Sequence, residues 1–138
     1  MNKTPVKIVI DTNLLVAYMF KKSSASANIL AIADEGLVDI MWHDKIRKEA
    51  ELITGKIGRA VPKVKMDLND IFKKKNEVKE VPKVRGVSED PDDDKFLACA
   101  IAAGADMIIS NDAHLLDIEN YEGIPIYTSS AALKVLNK

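Results

Sequence analysis

The sequence predicts an α/β fold: a three-layer α/β/α sandwich around a central parallel sheet of four to five strands. Short apolar runs rich in β-branched residues alternate with segments of helical periodicity, and the connections between them are short. The first run, Val6–Ile10, is apolar at all but one position, as expected for a strand covered on both faces. A chain of 138 residues fits one domain, so a single domain over residues 1–138 is expected.

The remaining elements follow from apolar periodicity and capping residues. Ser23 or Ser24 suits the N-cap of a helix that Gly36 would end, and Asp90-Pro91 places a cap before a proline at the first helical position. After the first strand we expect a helix from Leu14, a helix over 24–35 and a strand over 38–42. Next come a helix from His43 or Asp44 to near Gly55, a helix over 64–75 and a short strand over 78–81. The last expected elements are a helix from Asp90 to Gly104, strands over 107–109 and 124–127, and a helix capped by Thr128 or Ser129.

The composition excludes several classes of protein. No apolar run approaches the ~18 residues of a membrane span, so no membrane association is expected. The single cysteine, Cys99, lies among core-type residues and excludes an intramolecular disulfide, which favours a cytoplasmic location. The sequence contains neither a P-loop nor a serine nucleophile elbow.

The near-neutral net charge of −1 hides an uneven distribution. Residues 45–85 carry thirteen Lys or Arg and six Asp or Glu, whereas the rest of the chain carries seven and fifteen. Such a separation of charge favours an acidic pocket beside a basic rim, which would suit a polyanionic substrate. The alternative is that the lysines around residues 73–75 simply form a solvated helix end.

Polar residues follow two of the expected strands directly. Asp11 and Asn13 come after the first strand, and Ser110 and Asp112 come after the strand over 107–109. The carboxyl ends of parallel strands meet at one edge of a sheet, where ligands bind in this class of fold. Both aspartates are also good N-caps, so a purely structural role is the alternative for each.

Two further acids are expected to face inward from helices. Glu49 falls inside the apolar arc of its helix, where an unpaired carboxylate is costly. The run over 89–94 places five acids at a helix start, more than capping requires. Within this run, Asp93 shares a face with apolar positions of the helix and is expected to point inward. Asp94, on a different face, is the alternative candidate for the inward-facing acid.

Clustered carboxylates repel one another unless a cation neutralises them. Hard oxygen ligands favour Mg²⁺ or Mn²⁺, and the two histidines, His43 and His114, lack the partners of a zinc site. Such ions polarise a phosphate and activate water, so the pattern indicates hydrolysis of phosphodiesters. A phosphatase with Asp11 as nucleophile is disfavoured, because Asn13 stands where a second aspartate is needed.

These residues resemble the PIN-domain nucleases over nearly the whole chain, and most closely the PIN-family (VapC-like) toxins of prokaryotic toxin–antitoxin systems. The matching stretches are Val9–Val16, Ile46–Ile53, Asp90–Leu97 and Gly104–Leu116. The first and last are specific together, whereas the second matches only in its glutamate and apolar phase. One departure is Asn111, where this group often has glycine, so that access to the site would be narrower.

The resemblance implies a catalytic and metal-binding quartet with two supporting polar residues. The quartet falls on Asp11, Glu49, Asp93 and Asp112, and the supporting positions fall on Asn13 and Ser110. The implied activity is a Mg²⁺- or Mn²⁺-dependent endoribonuclease acting on RNA, with an antitoxin protein as partner and a homodimer as the expected assembly. The alternatives are a non-catalytic RNA- or protein-binding domain of this fold, and an RNA-processing nuclease outside toxin–antitoxin systems.

Overall fold

The computed structural model describes residues 5–21, 24–88 and 90–137. The strands and α-helices in these ranges are β1 (Val6–Ile10), α1 (Thr12–Phe20), α2 (Ala25–Asp34), β2 (Val38–Ile40), α3 (Asp44–Ala60), α4 (Asp94–Ala103), β3 (Met107–Ile109), α5 (Ala113–Leu116), β4 (Asn120–Tyr121), β5 (Ile124–Tyr127) and α6 (Ser129–Leu136). Short 3-10 turns occur at Pro62–Val64, Leu68–Asp70, Lys74–Asn76 and Pro91–Asp93.

The sheet has five strands in the order β2-β1-β3-β5-β4. The first four in that order are parallel, and β4 pairs antiparallel with β5 at the edge. The predicted α/β class with a largely parallel sheet is therefore confirmed. Ile10 pairs with Ile109, and the N–H of Asp11 donates to the Ile109 carbonyl at 3.0 Å. This register sets the residues that follow β1 and β3 side by side.

Helices cover both faces of the sheet. Ile8, Val9 and Ile10 are consecutive and all buried, which requires cover on both faces because neighbouring side chains in a strand point in opposite directions. Helix α4 packs on β1 and β3, α2 reaches β2, and α6 packs on both α2 and β5. The strand ends near the site are thus held between packed layers.

The capping residues expected from the sequence act as caps. The Ser24 hydroxyl accepts a hydrogen bond from the Ala27 N–H at 3.2 Å, whereas Ser23 lies outside the described residues. Gly36 follows α2 with φ of +82°, a left-handed conformation that favours glycine. Thr128 caps α6.

Helix α3 continues past its expected end near Gly55, so that prediction is wrong. Glycine ends a helix by adopting a left-handed conformation, but neither Gly55 nor Gly58 has a positive φ. Gly58 is buried, and a Cβ there would lie 3.2 Å from the Lys65 side chain. The glycines therefore allow close packing, and the helix runs on to Ala60.

The predicted helix over 64–75 is also wrong. The segment instead contains the 3-10 turns at Leu68–Asp70 and Lys74–Asn76, joined by irregular chain. The apolar spacing of this segment nevertheless predicted burial correctly, because Leu68 and Phe72 both lie in the core.

Tertiary hydrogen bonds hold this segment in its irregular course. The Arg47 guanidinium donates to the Phe72 carbonyl at 3.4 Å and to Asn69 Oδ1 at 2.7 Å. The Trp42 indole N–H donates to the Lys73 carbonyl at 2.8 Å. These contacts satisfy carbonyls that a regular helix would have used for its own ladder.

Two strand predictions also need correction. The strand predicted over 78–81 is absent from the described part of the chain, where only a single bridge joins Glu77 to Trp42. Strand β2 accordingly stops at Ile40. The two-residue strand β4 was not predicted. It is created by a hairpin whose turn residues, Glu122 and Gly123, both have positive φ.

None of the described helices is both long enough and apolar enough to cross a membrane.

Candidate metal centre

Asp11 lies at the carboxyl end of β1 and is only 5% exposed. Its Oδ1 accepts from the Asn13 N–H at 3.4 Å, which caps α1, and its Oδ2 accepts from the Ser110 hydroxyl at 2.7 Å. Burial raises the pKa of Asp11, and the charges of Glu49 and Asp112 raise it further, while the bonds from Ser110 and Asn13 oppose the shift. Asp11 is therefore a cap and also part of an acidic cluster.

Ser110 connects the ends of β1 and β3. Its side chain is fully buried, and its hydroxyl oxygen also accepts from the Asp112 N–H at 3.0 Å. Asp112 in turn caps α5, with Oδ1 accepting from the His114 N–H at 3.0 Å. One hydroxyl thus fixes the carboxylate of Asp11 and the backbone of Asp112 relative to each other.

Asp93 approaches Asp11 and Asp112 from the chain just before α4. It ends the 3-10 turn that begins at Pro91, and it is 7% exposed. The pKa of Asp93 is raised to about 7, and burial is the largest cause. The charges of Asp112 and Asp11 raise it further, and so do a hydrogen bond with Asp112 and the charge of Asp90. Three aspartates that are distant in sequence therefore crowd together.

Asp94, the rival of Asp93, has a different environment. Its Oδ1 accepts from the Ser88 N–H at 3.1 Å, so the carboxylate secures the loop before α4. Asp90 caps the turn as expected, with Oδ1 accepting from the Asp92 N–H at 3.0 Å. Glu89, the first acid of the run, lies outside the described residues.

Two residues that the sequence did not mark as ligands also adjoin the cluster. Asp90, Asp93 and His114 each offer a ligand atom, and these atoms lie within 4.8 Å of one another. The sequence predicts Asp90 only as a helix cap, and it predicts no ligand role for His114, which lacks the partners of a zinc site. A signal for Asp90 existed, because residues three apart are eclipsed on a 3-10 turn. His114 had no comparable signal.

Glu49 occupies the flank of the cluster. Its Oε2 accepts from the Thr12 hydroxyl at 2.7 Å, and its Oε1 pairs with the Lys95 ammonium at 3.1 Å. Glu49 is close enough for its charge to raise the pKa of Asp11. Both of its oxygens are nevertheless engaged by protein groups.

Two other polar side chains at this edge turn away from the acids. Asn13 is exposed, and its contact with Asp11 is made by its backbone N–H. The Asn111 amide bonds to Ser129 at the start of α6, with its oxygen accepting from the Ser129 N–H at 3.1 Å.

A cleft of about 790 Å³ opens next to Asp94 and Lys95 at the start of α4, and none of Asp11, Glu49, Asp93 and Asp112 is among its lining residues. Much of its wall is the irregular segment 79–85. Its basic lining residues are Lys45, Lys79, Lys83, Arg85 and Lys95, and its acidic ones are Glu80, Asp92 and Asp94. Most of the cations come from the basic region 45–85, so part of that region borders this cleft.

The donor set suits a hard divalent cation. The converging groups are carboxylate oxygens, which Mg²⁺ and Mn²⁺ prefer, and the charges of Asp112 and Asp11 add to the effect of burial on the pKa of Asp93. In the described part of the chain, no Lys or Arg forms an ion pair with Asp11 or Asp93. A cation at this point would relieve the repulsion.

Comparisons with known proteins bear on the family and on the fold. The sequence profile of the family described as PIN domain matches residues 7–114. Among solved structures, the chain is similar to the crystal structure of PAE2754 from Pyrobaculum aerophilum, with a TM-score of 0.57 and 18% sequence identity over 97% of this chain and 98% of that one. At that identity the likeness concerns the fold alone. A search of curated proteins found no significant match.

Proposed function

This chain belongs to the PIN-domain family, and on that basis we propose that it is a Mg²⁺- or Mn²⁺-dependent endoribonuclease. PIN domains are nuclease-type folds. One observation carries the proposal to this chain: Asp11 and Asp112 lie close enough to Asp93 that their charges add to burial, the main cause, in raising the pKa of Asp93 to about 7. Repelling carboxylates at a ligand-binding edge are a functional arrangement more often than a structural one.

Each acidic residue has a role in this proposal. Asp11, Asp93 and Asp112 would hold the ion, and Glu49 would be a ligand or would orient the attacking water. A bound divalent ion would polarise a phosphate oxygen and lower the pKa of a water molecule. Ser110 would position Asp11 through its 2.7 Å hydrogen bond, and Asn13 would support Asp11 through its backbone N–H.

Asp90 and His114 extend the proposed ligand set, since their ligand atoms lie within 4.8 Å of each other and of that of Asp93. The His114 Nδ1 also lies 3.7 Å from Asp112 Oδ1. His114 could therefore ligate the ion or hold the Asp112 carboxylate in place.

The basic cleft supports a polyanionic substrate. Cations along its wall, such as Lys79, Lys83 and Arg85, would bind consecutive phosphates and guide the chain toward the acids. Single-stranded or looped RNA suits a cleft of this size better than a duplex, because its backbone can bend into a small site.

We further propose that the protein is the toxin of a toxin–antitoxin pair and acts in the cytoplasm. The support is the resemblance of Asp90–Leu97 and Gly104–Leu116 to that group. A cognate antitoxin would then occlude the acidic edge, and the protein would form homodimers. RNA processing outside such a pair is the alternative within the same chemistry, and growth arrest on expression would distinguish them.

The decisive experiment compares purified wild type with Asp11→Asn on single-stranded RNA, with and without Mn²⁺. Wild type should cut only with the ion, Asp11→Asn should lose cleavage, and circular dichroism should show that both are folded. Asp117→Asn, at an exposed position after α5, is the matched control and should cut like wild type. Sequencing the product ends would identify the cleaved bonds.

Full activity of Asp11→Asn would reject the assignment of the site. RNA binding without turnover at any Mn²⁺ concentration would instead support the non-catalytic alternative.

A further inference from the structure

Lys95 is held in place more completely than the other ion-paired lysines. Its side chain is 14% exposed, whereas those of Lys48 and Lys75 are 72% and 69% exposed. The ammonium pairs with Glu49 Oε1 at 3.1 Å, donates to the Asp92 carbonyl and lies 4.7 Å from the centre of the Phe96 ring. Protein groups thus surround it in place of water.

The Glu49 carboxylate is fixed from its other side as well. Thr12, whose hydroxyl donates to Oε2, is only 3% exposed and lies next to Asp11 at the start of α1. One Glu49 oxygen therefore pairs with the Lys95 ammonium, and the other accepts a partly buried hydrogen bond from Thr12. It differs in this respect from Asp11 and Asp93, which have no Lys or Arg partner among the described residues.

The four acids thus divide into two groups with different electrostatic needs. One group, Asp11, Asp93 and Asp112, has no Lys or Arg partner within the described ranges, although His114 lies 3.7 Å from Asp112 Oδ1. The other, Glu49, already has a lysine partner, supplied by the first turn of α4. A divalent ion bound to Glu49 would have to displace the ammonium or lie against it, and like charges at such short range repel strongly.

We propose that Lys95 is a built-in counter-cation for Glu49, so that the site takes one divalent ion at Asp11, Asp93 and Asp112 and excludes a second ion at Glu49. This inference rests on the proposed metal-dependent function and adds the number of ions. Lys95 would be a positioning residue, because it holds the Glu49 carboxylate in a fixed orientation toward the cluster.

The test is Mn²⁺ stoichiometry, measured by calorimetry and by electron paramagnetic resonance on the full chain after chelator treatment. Wild type should bind one ion per chain. Lys95→Met keeps the aliphatic stem on Phe96 but removes the charge, and it should bind two. The double variant Lys95→Met/Glu49→Gln should return to one. Lys48→Met removes an exposed lysine from the same region and should stay at one.

Two results would overturn the inference: two ions bound by wild type, or one ion bound by Lys95→Met with unchanged affinity. No ion bound by wild type would instead contradict the proposed function. If Lys95→Met fails to fold, the Mn²⁺ stoichiometry and affinity of the single variant Glu49→Gln test the inference instead. This variant should keep one ion, because the ligands of that ion are Asp11, Asp93 and Asp112, and its affinity should fall less than that of Asp93→Asn even though the Lys95 ammonium is then uncompensated. A loss of binding as complete as that of Asp93→Asn would make Glu49 a ligand and refute the inference.

Discussion

Replacing Asp93 by asparagine should stabilise the metal-free protein above neutral pH, although the same change should abolish ion binding. The carboxyl group of Asp93 has a pKa of about 7 in the folded protein, against an ordinary 3.8. The folded state therefore binds this proton more tightly than the unfolded state does. The free energy of unfolding must then fall as the pH rises from about 3.8 to about 7, and level off above.

The size of the effect follows from the shift and from the surroundings of the site. At about 1.36 kcal/mol per pKa unit, a rise from 3.8 to about 7 corresponds to roughly 4 kcal/mol. Asp93 itself is buried, but Asp90 beside it is half-buried and His114 is exposed, so solvent screens the repulsion. We therefore expect about 1–2 kcal/mol between pH 5 and pH 8 after screening.

The assay is urea unfolding in excess chelator at several pH values, followed by fluorescence of the only tryptophan, Trp42, which is buried. The free energy of unfolding of wild type should fall between pH 5 and pH 8. That of Asp93→Asn should fall less, so that the variant is the more stable protein at pH 8. Saturating Mn²⁺ should restore the stability of wild type. Asp94→Asn is the matched control, because Asp94 is equally buried but bonds to the Ser88 N–H. The reasoning fails if Asp93→Asn keeps the wild-type pH dependence or if Asp94→Asn removes it.

Four further predictions concern the site, the basic cleft and the fold around them. Ser110→Ala should cost about 1.5–3 kcal/mol of stability and weaken Mn²⁺ binding, because a buried hydrogen bond to a carboxylate is lost. Thr54→Val, which removes a buried hydroxyl bonded within α3, should lower stability in the same unfolding assay and leave Mn²⁺ binding unchanged. Replacing Lys83 and Arg85 by alanine should reduce the salt dependence of RNA affinity by about one unit of slope per residue, without changing Mn²⁺ affinity in calorimetry. Arg47→Met should increase hydrogen exchange over residues 68–76, because that segment depends on hydrogen bonds from the guanidinium; an unchanged exchange rate would contradict this.

Much of the fold could be predicted because its signals are local. The apolar run of β1 and the caps at Ser24 and Thr128 depend on residues within a few positions of one another. The parallel topology then brings the strand ends to one edge, which is why the meeting of Asp11 and Asp112 could be anticipated from two separate stretches of sequence. Their roles as ligands remain a prediction.

Other features could not be predicted because they depend on distant partners. The apolar spacing over 64–75 correctly indicated burial, but the segment is not a regular helix. Its carbonyls instead accept hydrogen bonds from Arg47 in α3 and from Trp42, which follows β2. The same limit applies at the site. Nothing near Asp90 in the sequence indicates that His114 will approach it.

The sequence by itself determined the parallel strands, most of the helices packed on them and the burial of their apolar positions, because these depend on short-range periodicity and on the rules of parallel sheets. Only the tertiary structure decided which charges are compensated. The pairing of Glu49 with Lys95 joins α3 to α4, and the interaction of Asp93 with Asp112 joins the residue before α4 to the residue before α5. Electrostatic energies depend on distances between groups that folding brings together, and no local pattern encodes those distances.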